Sequence, residues 1–270
     1  MIFFPNAKIN IGLNVISKRS DGYHNLESCF CPLNFHDIIE IKKSNSLSFN
    51  TSGIKIPGQK NNNLIIKAFE KIKYKTDPIK IFLHKRIPIG SGLGGGSSDG
   101  SFTLLAINKL FNLNLKKNVL HNLAIKLGSD CPFFLKNKLS YLTGKGNIIK
   151  DLKIDLTDKK IIIITPNIII PTREAFGKIK IKKSKYSLLK ILKNEPIENW
   201  KNYIVNDFED YVFNKFNRIK KIKESLYNNG ALFSSLTGSG SSVYGFFDNN
   251  FNLKNSSLKN DLAIETTILR

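Results

Sequence analysis

The sequence contains little cysteine, little arginine and no long apolar segment. Its 270 residues include three cysteines, an odd number whose spacing suits neither a disulfide framework nor a four-cysteine metal site. The densest apolar stretches, 161–164 and 168–170, are much too short to span a bilayer. The N-terminus has no charged segment followed by an apolar one, as a signal peptide would. We therefore expect a cytoplasmic protein without a membrane partner.

Acidic residues are also scarce relative to basic ones. The 42 lysines and arginines exceed the 21 aspartates and glutamates, so the formal net charge is +21. Such an excess is typical of nucleic-acid-binding proteins, and that alternative predicts steeply salt-dependent binding to DNA or RNA. However, only five basic residues are arginine, the residue that phosphate and base recognition favours, and the lysines are dispersed. We expect no nucleic-acid partner, only a general attraction to polyanionic substrates.

A glycine-rich segment at 87–98, Ile-Pro-Ile-Gly-Ser-Gly-Leu-Gly-Gly-Gly-Ser-Ser, is the most informative part of the chain. A strand pattern precedes it at 79–87, and apolar residues at helical spacing follow it at 102–111. Glycine allows the backbone to approach a ligand closely, and the first amides of a helix attract negative charge. The segment therefore predicts a phosphate-binding loop, with a flexible surface loop as the alternative.

Three common phosphate-binding motifs do not fit this loop. A Walker A motif requires lysine where Ser97 stands. A dinucleotide-binding motif requires an acid about 20 residues later, but no Asp or Glu lies between Asp99 and Asp130. The protein-kinase motifs H-R-D and D-F-G are absent from the sequence. The pattern that remains is Pro-x-x-x-Gly-Leu-Gly-Gly-Gly-Ser-Ser.

This pattern resembles the signature of the GHMP kinases, which include galactokinase, homoserine kinase, mevalonate kinase and phosphomevalonate kinase. Further matching blocks lie at 5–10 with 19–24, at 127–132 and at 236–240. The resemblance implies an α+β GHMP kinase fold, in keeping with the clustered strand and helix patterns. It implies two domains with a catalytic cleft between them, an N-terminal ATP-binding domain at 1–155 and a C-terminal domain at 156–270. It also implies ATP as co-substrate, together with Mg²⁺.

The resemblance implies that the element Asp21-Gly22-Tyr23-His24 separates one member of this family from the others. It resembles the element of the family member whose small-molecule substrate is methylerythritol linked to cytidine diphosphate, in isoprenoid precursor biosynthesis. The alternative is another kinase of the family, acting on a small alcohol such as homoserine or a mevalonate derivative. A requirement for cytidine on the acceptor separates the two.

Lys8 and Asp130 are the expected catalytic residues. An inward-facing lysine in the apolar strand pattern of 8–15 is costly unless it is paired, although its ammonium group could also reach solvent at the strand end. By position alone, Asp130 could cap a helix with Pro132 near its start. The resemblance implies that Asp130 accepts the proton of the substrate hydroxyl and that Lys8 pairs with it and neutralises phosphoryl charge.

The resemblance also implies the binding residues. Expected at ATP are Asn63, Pro88, Gly90, Ser91, Gly92, Leu93, Gly94, Gly95, Gly96, Ser97 and Ser98. Expected at the alcohol substrate are Asn10, Tyr23, His24, Thr172, Phe176, Gly238, Ser239 and Gly240. Three of these residues have a simpler alternative: Asn63 as a helix cap, His24 as a surface histidine and Phe176 as a core residue. We assign no metal ligand from the sequence, because no acid near the loop other than Asp99 is a candidate to hold Mg²⁺.

Overall fold

The computed structural model describes residues 1–156, 158–182, 184–253 and 262–269. Within them the chain has the expected α+β composition of helices and sheets. The strands are β1 (Ile2–Phe3), β2 (Asn6–Lys18), β3 (His24–His36), β4 (Ile38–Lys43), β5 (Ser48–Gly53), β6 (Ile79–Lys85), β7 (Ser140–Thr143), β8 (Ile148–Asp151), β9 (Lys159–Thr165), β10 (Phe233–Leu236), β11 (Val243–Asp248) and β12 (Leu262–Thr266). The α-helices are α1 (Leu64–Glu70), α2 (Gly95–Leu110), α3 (Lys117–Ile125), α4 (Cys131–Lys136), α5 (Thr172–Lys178), α6 (Leu188–Asn194), α7 (Glu209–Lys215) and α8 (Asn217–Asn228).

The chain forms two compact units, each assembled from several segments. Unit 1 comprises 1–7, 35–89 and 94–138, and unit 2 comprises 8–34, 90–93 and 139–270. The expected division between residues 155 and 156 thus falls inside unit 2 and does not coincide with a boundary of either unit. The reason is sheet pairing: β3 pairs with β7, with Cys29 opposite Tyr141, so early strands join a sheet completed late in the chain.

Unit 1 packs helices on one face of a four-stranded sheet. The strand order is β1-β4-β6-β5, with β5 parallel to β6 and the other pairs antiparallel. In β6, buried residues alternate with exposed or half-buried ones, as the period of two predicts for a sheet with one covered face. Ile81 and Leu83 of β6 share a core with Ile65 of α1 and with Leu104 and Ile107 of α2. This core anchors the helix that follows the glycine-rich loop.

Unit 2 contains two further four-stranded sheets. One has the order β2-β3-β7-β8 and the other β10-β11-β9-β12. All four residues of 161–164 are buried, which covers both faces of the strand. Ile162 and Ile164 join a core with Phe208 and Val243. None of the described helices is long and apolar enough to cross a membrane.

The spacing of apolar residues over 200–213 predicts one continuous helix, and this prediction is wrong. A 3₁₀ helix ends at Asn202, and α7 begins only at Glu209. Asn206 lies between them with 2 % of its surface exposed. Its side chain and its neighbours bond to distant parts of the chain instead of continuing a helix, as described below.

Candidate active site

The backbone of the glycine-rich loop adopts conformations that require glycine. Gly90, Gly92 and Gly94 have φ values of 66°, 82° and 73°, in the left-handed region. Gly94 is the N-cap of α2, and no side chain caps this helix or places an acid in its first turn. The loop therefore ends in a 16-residue helix whose N-terminus lacks a capping side chain, which suits an anion.

The glycines of the loop have different roles. A Cβ on Gly92 would lie 2.0 Å from the carbonyl oxygen of Thr237, so Gly92 is glycine because another backbone contacts it. A Cβ on Gly95 would lie 2.8 Å from Ile87 and 2.9 Å from the ammonium of Lys85. Gly96, in contrast, is exposed, and a Cβ there meets nothing within 4 Å. Gly96 is thus a position with open space for a ligand.

Other loop residues hold the loop in place. Ser91 and Leu93 are buried, and the Ser91 carbonyl accepts a hydrogen bond from the Ser242 amide. The Leu93 carbonyl accepts from the Lys8 amide at 2.9 Å. Pro88 and Ser97 are half-buried, while the Ser98 hydroxyl is buried and has no hydrogen-bond partner among the described residues. Ser98 therefore has a hydroxyl available for a ligand.

Lys8 and Asn10 lie together in β2, as the strand period predicts. Both are buried, and the Lys8 ammonium donates to Asn10 Oδ1 at 2.6 Å and to the Gly92 carbonyl at 3.0 Å. It also lies 4.5 Å from the centre of the Phe30 ring. Asn10 Nδ2 donates to Ser28 Oγ at 3.0 Å, which fixes the orientation of the amide. The ammonium is thus held within unit 2, which rules out the alternative of a lysine reaching into solvent.

The segment 236–240, Leu-Thr-Gly-Ser-Gly, forms a second glycine-rich loop. Thr237, which sequence reasoning missed, joins this loop to Lys8 and Asn10. The Thr237 hydroxyl accepts a hydrogen bond from the backbone amide of Asn10 at 3.1 Å. It also lies 3.3 Å from Asn10 Oδ1 and 3.2 Å from the Gly92 carbonyl oxygen. Next along this loop, Gly238 lies close to Gly92: a Cβ added to Gly238 would be 3.2 Å from the Gly92 Cα. Ser239 Oγ lies 3.2 Å from Thr172 Oγ1 at the start of α5, and Gly240 has a φ of 92°. The pairing of a buried threonine with a strand asparagine leaves no sequence signal beyond the neighbouring glycines.

Asp130 occupies the N-cap position of α4, with Pro132 in the first turn. Its side chain is half-buried and makes no capping hydrogen bond, so the alternative of a helix-capping carboxylate is not what the structure shows. Asn63, on the other hand, does cap its helix, because its Oδ1 accepts from the Ile65 amide at 2.9 Å. Asn63 can therefore contribute only its remaining polar atoms to a ligand.

The aromatic residues expected at a base lie in unit 2. His24 stacks on Phe176, with ring centroids 5.1 Å apart and an angle of 24° between the rings. Burial lowers the pKa of His24, with a smaller contribution from Lys18, so the neutral ring is favoured. Tyr23 is 53 % exposed, and the Lys145 ammonium lies 4.4 Å from its ring centroid. Phe176 is half-buried and also packs against the core of unit 2, with its ring centroid 4.8 Å from that of Phe208.

A buried charge cluster lies near the start of α2 in unit 1, and only Asp99 of it was noticed in the sequence. The Lys85 ammonium donates to Asp37 at 2.5 Å and to Asp99 at 2.7 Å, and all three side chains are at most 4 % exposed. Asp37 also accepts from the Arg86 and Ile87 amides, whereas the second oxygen of Asp99 has no hydrogen-bond partner among the described residues. Burial raises the pKa of Asp99 to about 7, despite the opposing effect of Lys85.

Comparison with known proteins identifies the family and the fold of the chain. The family model "GHMP kinases N terminal domain" matches residues 63–138, and "GHMP kinases C terminal" matches 187–255. The mevalonate kinase of Methanococcus jannaschii has the same fold, with a TM-score of 0.72 over 100 % of this chain and 98 % of its own, at 16 % identity. This chain belongs to the GHMP kinases.

Within that family, the chain is similar over most of its length to proteins named 4-diphosphocytidyl-2-C-methyl-D-erythritol kinase. The one from Azobacteroides pseudotrichonymphae is 47 % identical, covering 92 % of this chain and 93 % of its own. The one from Bacteroides thetaiotaomicron is 44 % identical, covering 92 % of each chain. A crystal structure of 4-(cytidine 5'-diphospho)-2C-methyl-D-erythritol kinase superposes with a TM-score of 0.82 over 99 % of each chain, at 26 % identity.

Proposed function

We propose that this GHMP kinase transfers the γ-phosphoryl group of ATP to the 2-hydroxyl of 4-diphosphocytidyl-2-C-methyl-D-erythritol, a step of isoprenoid precursor biosynthesis, in the cytoplasm. The observation that carries the proposal is the similarity, over more than nine-tenths of both chains, to kinases named for this substrate. The exposed Tyr23 ring supports it, because an aromatic face accessible to solvent suits a flat base.

The phosphate groups of ATP bind at the glycine-rich loop and the N-terminus of α2. The open space beside Gly96 supports this placement, as does the Ser98 hydroxyl, which has no hydrogen-bond partner among the described residues. Amides at a helix N-terminus donate to phosphate oxygens and carry partial positive charge. The bound phosphates thereby acquire fixed donors that need no rearrangement during the reaction.

Mg²⁺ accompanies ATP in this proposal. No group of three or more His, Cys, Asp or Glu residues that could hold a metal occurs in the described part of the chain. Mg²⁺ is commonly held by substrate phosphates and at most one or two carboxylates, with waters completing its coordination, so the proposal requires no such group. Ser98 is the residue we assign beside it. When bound, the ion neutralises charge on the phosphates.

Lys8 and Asp130 serve the transferred group and the attacking hydroxyl respectively. Phosphoryl transfer has a loose transition state, so positioning and charge stabilisation contribute more than base strength. The Lys8 ammonium, oriented by Asn10, stabilises the developing charge on the phosphoryl oxygens. The Asp130 carboxylate, which is not engaged in capping α4, accepts the hydroxyl proton. His24, Phe176 and Tyr23 bind the cytosine, and Thr172 with the Gly238–Gly240 segment binds the remainder of the substrate.

The test is a steady-state assay with a panel of acceptors. The cytidine substrate should be phosphorylated with a far higher kcat/KM than its uridine counterpart, homoserine or mevalonate, because unmatched hydrogen-bonding groups of the site would stay unsatisfied. Preferred phosphorylation of homoserine or mevalonate would reassign the chain to another GHMP kinase.

In the same assay, Asp130→Asn should lower kcat by about 100- to 10,000-fold, the usual range for a proton-transfer group. Both KM values should change little, because the amide keeps the shape of the carboxylate. Asp77→Asn makes the same chemical change at an exposed site in unit 1 and is the matched control. Unchanged turnover in Asp130→Asn would remove Asp130 from the mechanism.

A further inference from the structure

The segment Val205–Glu209, between the 3₁₀ helix and α7, has no role in the function described so far. It contains Asn206, which is buried, and Glu209, whose side chain is 13 % exposed. Buried amides and carboxylates are costly unless their polar atoms are paired. Where those atoms find partners therefore indicates what the segment does. All of the partners described below lie in unit 2.

On one side, the segment pairs with β2. The Leu13 amide donates to the Val205 carbonyl at 3.0 Å, and the Asp207 amide donates to the Leu13 carbonyl at 2.9 Å. The Asp207 carboxylate accepts from the Val15 amide at 2.7 Å. These bonds attach the segment to the strand that carries Lys8 and Asn10, only a few residues beyond them.

On the other side, the segment holds the second glycine-rich loop. Asn206 Nδ2 donates to the Leu236 carbonyl at 2.8 Å and to the Gly238 carbonyl at 2.9 Å. Glu209 Oε1 accepts from the Leu236 amide at 2.9 Å and from Ser235 Oγ at 3.0 Å. The other Glu209 oxygen accepts from Lys223 at 2.7 Å. The carbonyls on both sides of Thr237 are therefore bound by a single amide side chain.

Thr237 is the residue whose position this arrangement determines. The Thr237 hydroxyl accepts from the backbone amide of Asn10 and donates to Asn10 Oδ1. The same Asn10 Oδ1 accepts from the Lys8 ammonium. A displacement of the Leu236–Gly238 backbone would remove the Thr237 hydroxyl from Asn10. Asn10 Oδ1 would lose its contact with Thr237, which leaves the bond from Asn10 Nδ2 to Ser28 to orient the side chain, so the Lys8 ammonium would be held less firmly.

We propose that Asn206 and Glu209 are positioning residues for phosphoryl transfer, which hold Thr237 against Asn10 and thereby fix the direction of the Lys8 ammonium. Neither residue contacts the reacting groups in this proposal. It rests on the proposed function only in assigning Lys8 to the phosphoryl group. The required feature of Glu209 is an oxygen that accepts from the Leu236 amide, and its ion pair with Lys223 is secondary.

Three variants separate the acceptor from the ion pair. Glu209→Ala removes both, Glu209→Gln keeps an amide oxygen for Leu236 but loses the charge, and Lys223→Met removes only the ion pair. We expect Glu209→Ala to lower kcat about 10- to 100-fold, because small misplacements of catalytic groups have effects of this size. KM for ATP should stay within about twofold, because the side-chain bonds given above for Asn206 and Glu209 go to 235–238 and to Lys223, which lie outside the loop at 87–98. Glu209→Gln and Lys223→Met should both keep kcat within about threefold of the wild type.

Kinetics are measured with whichever alcohol the wild type phosphorylates best, and the folded fraction is followed by circular dichroism at the assay temperature. The choice of alcohol by the wild type tests the proposed function, while the ratio of variant to wild-type kcat tests the positioning role. The proposal is overturned if Glu209→Ala retains wild-type kcat, if Glu209→Gln is as defective as Glu209→Ala, or if the loss of kcat only matches a loss of folded protein.

Discussion

The carboxylate of Asp99 is buried near the start of α2. One of its oxygens forms an ion pair with Lys85, and the other has no hydrogen-bond partner among the described residues. Asp37 competes for the same ammonium and has two backbone amides besides. Burial by itself lowers the pKa of Lys85, but the two carboxylates outweigh it and leave that pKa above its ordinary value. We therefore expect this cluster to bind a proton near neutral pH, with Asp99 as the carboxylate whose pKa burial raises.

This arrangement predicts a stability difference that depends on pH. The pKa of Asp99 is raised from 3.8 to about 7, so between these values the folded state holds a proton that the unfolded state has released. The folded state is then disfavoured progressively as the pH rises through this window. Relative to Asp99→Asn, the free energy of unfolding of the wild type should fall by a few kcal/mol between about pH 4 and pH 7, and change little above.

Urea unfolding at several pH values measures this difference. The two histidines with lowered pKa values, His24 and His36, are present in both proteins and cancel in the comparison. Parallel curves for the wild type and Asp99→Asn would show that Asp99 has an ordinary pKa. Asp77→Asn, at the exposed site, should give a curve parallel to the wild type.

At the scale of elements, the loop before α2 and the first turn of α2 together contain two kinds of glycine. Gly92 and Gly95 are packed against the protein itself, whereas the Cβ position of Gly96 is open. Gly96→Val should raise KM for ATP about tenfold or more, because its side chain would occupy the space assigned to phosphate oxygens. The free energy of unfolding should change by less than about 1 kcal/mol, since glycine is itself a poor helix former.

Gly92→Ala provides the contrast. Its Cβ would collide with the Thr237 carbonyl at a backbone angle that side chains rarely adopt, so thermal stability should fall. Steady-state kinetics with ATP varied, together with thermal denaturation, distinguish the two effects. If Gly96→Val binds ATP as the wild type does, the phosphates do not lie at this position.

At the scale of the whole molecule, the charge of +21 acts on every anionic ligand. Both ATP and a cytidine diphosphate-linked alcohol are polyanions, so salt should weaken the encounter with each of them. We expect both KM values to rise several-fold between about 0.05 M and 0.5 M salt, with kcat nearly constant. Duplex DNA added at about 0.15 M salt should not inhibit, because the charge is dispersed and dominated by lysine.

Initial rates at increasing potassium chloride measure the effect, and matched sucrose controls account for viscosity. KM values that do not respond to salt would show that the net charge does not assist substrate capture. Strong inhibition by DNA would instead revive the interpretation of the chain as a nucleic-acid-binding protein.

The sequence by itself determined the elements whose signals are local. Glycines at 90–96 between a strand and a helical pattern, Asn63 before an apolar helix, and the alternation in β6 each follow from conformational preference or period. The side-by-side placement of Lys8 and Asn10 followed from the strand period as well. These features, with the order of the matching blocks, were sufficient for the family.

Only the tertiary structure decided which polar groups are satisfied by distant partners. The helix expected at 200–213 is interrupted at 205–207, because backbone groups there bond to Leu13 and the Asn206 side chain bonds to Leu236, 30 residues away in sequence. Glu209, at the start of α7, accepts from the amide of the same Leu236. Asp37 and Asp99 share Lys85 across 48 and 14 residues. Nothing local marks such residues, because a buried polar side chain is stabilised by the donor or acceptor that folding brings to it. That pairing depends on the whole chain and not on any window of it.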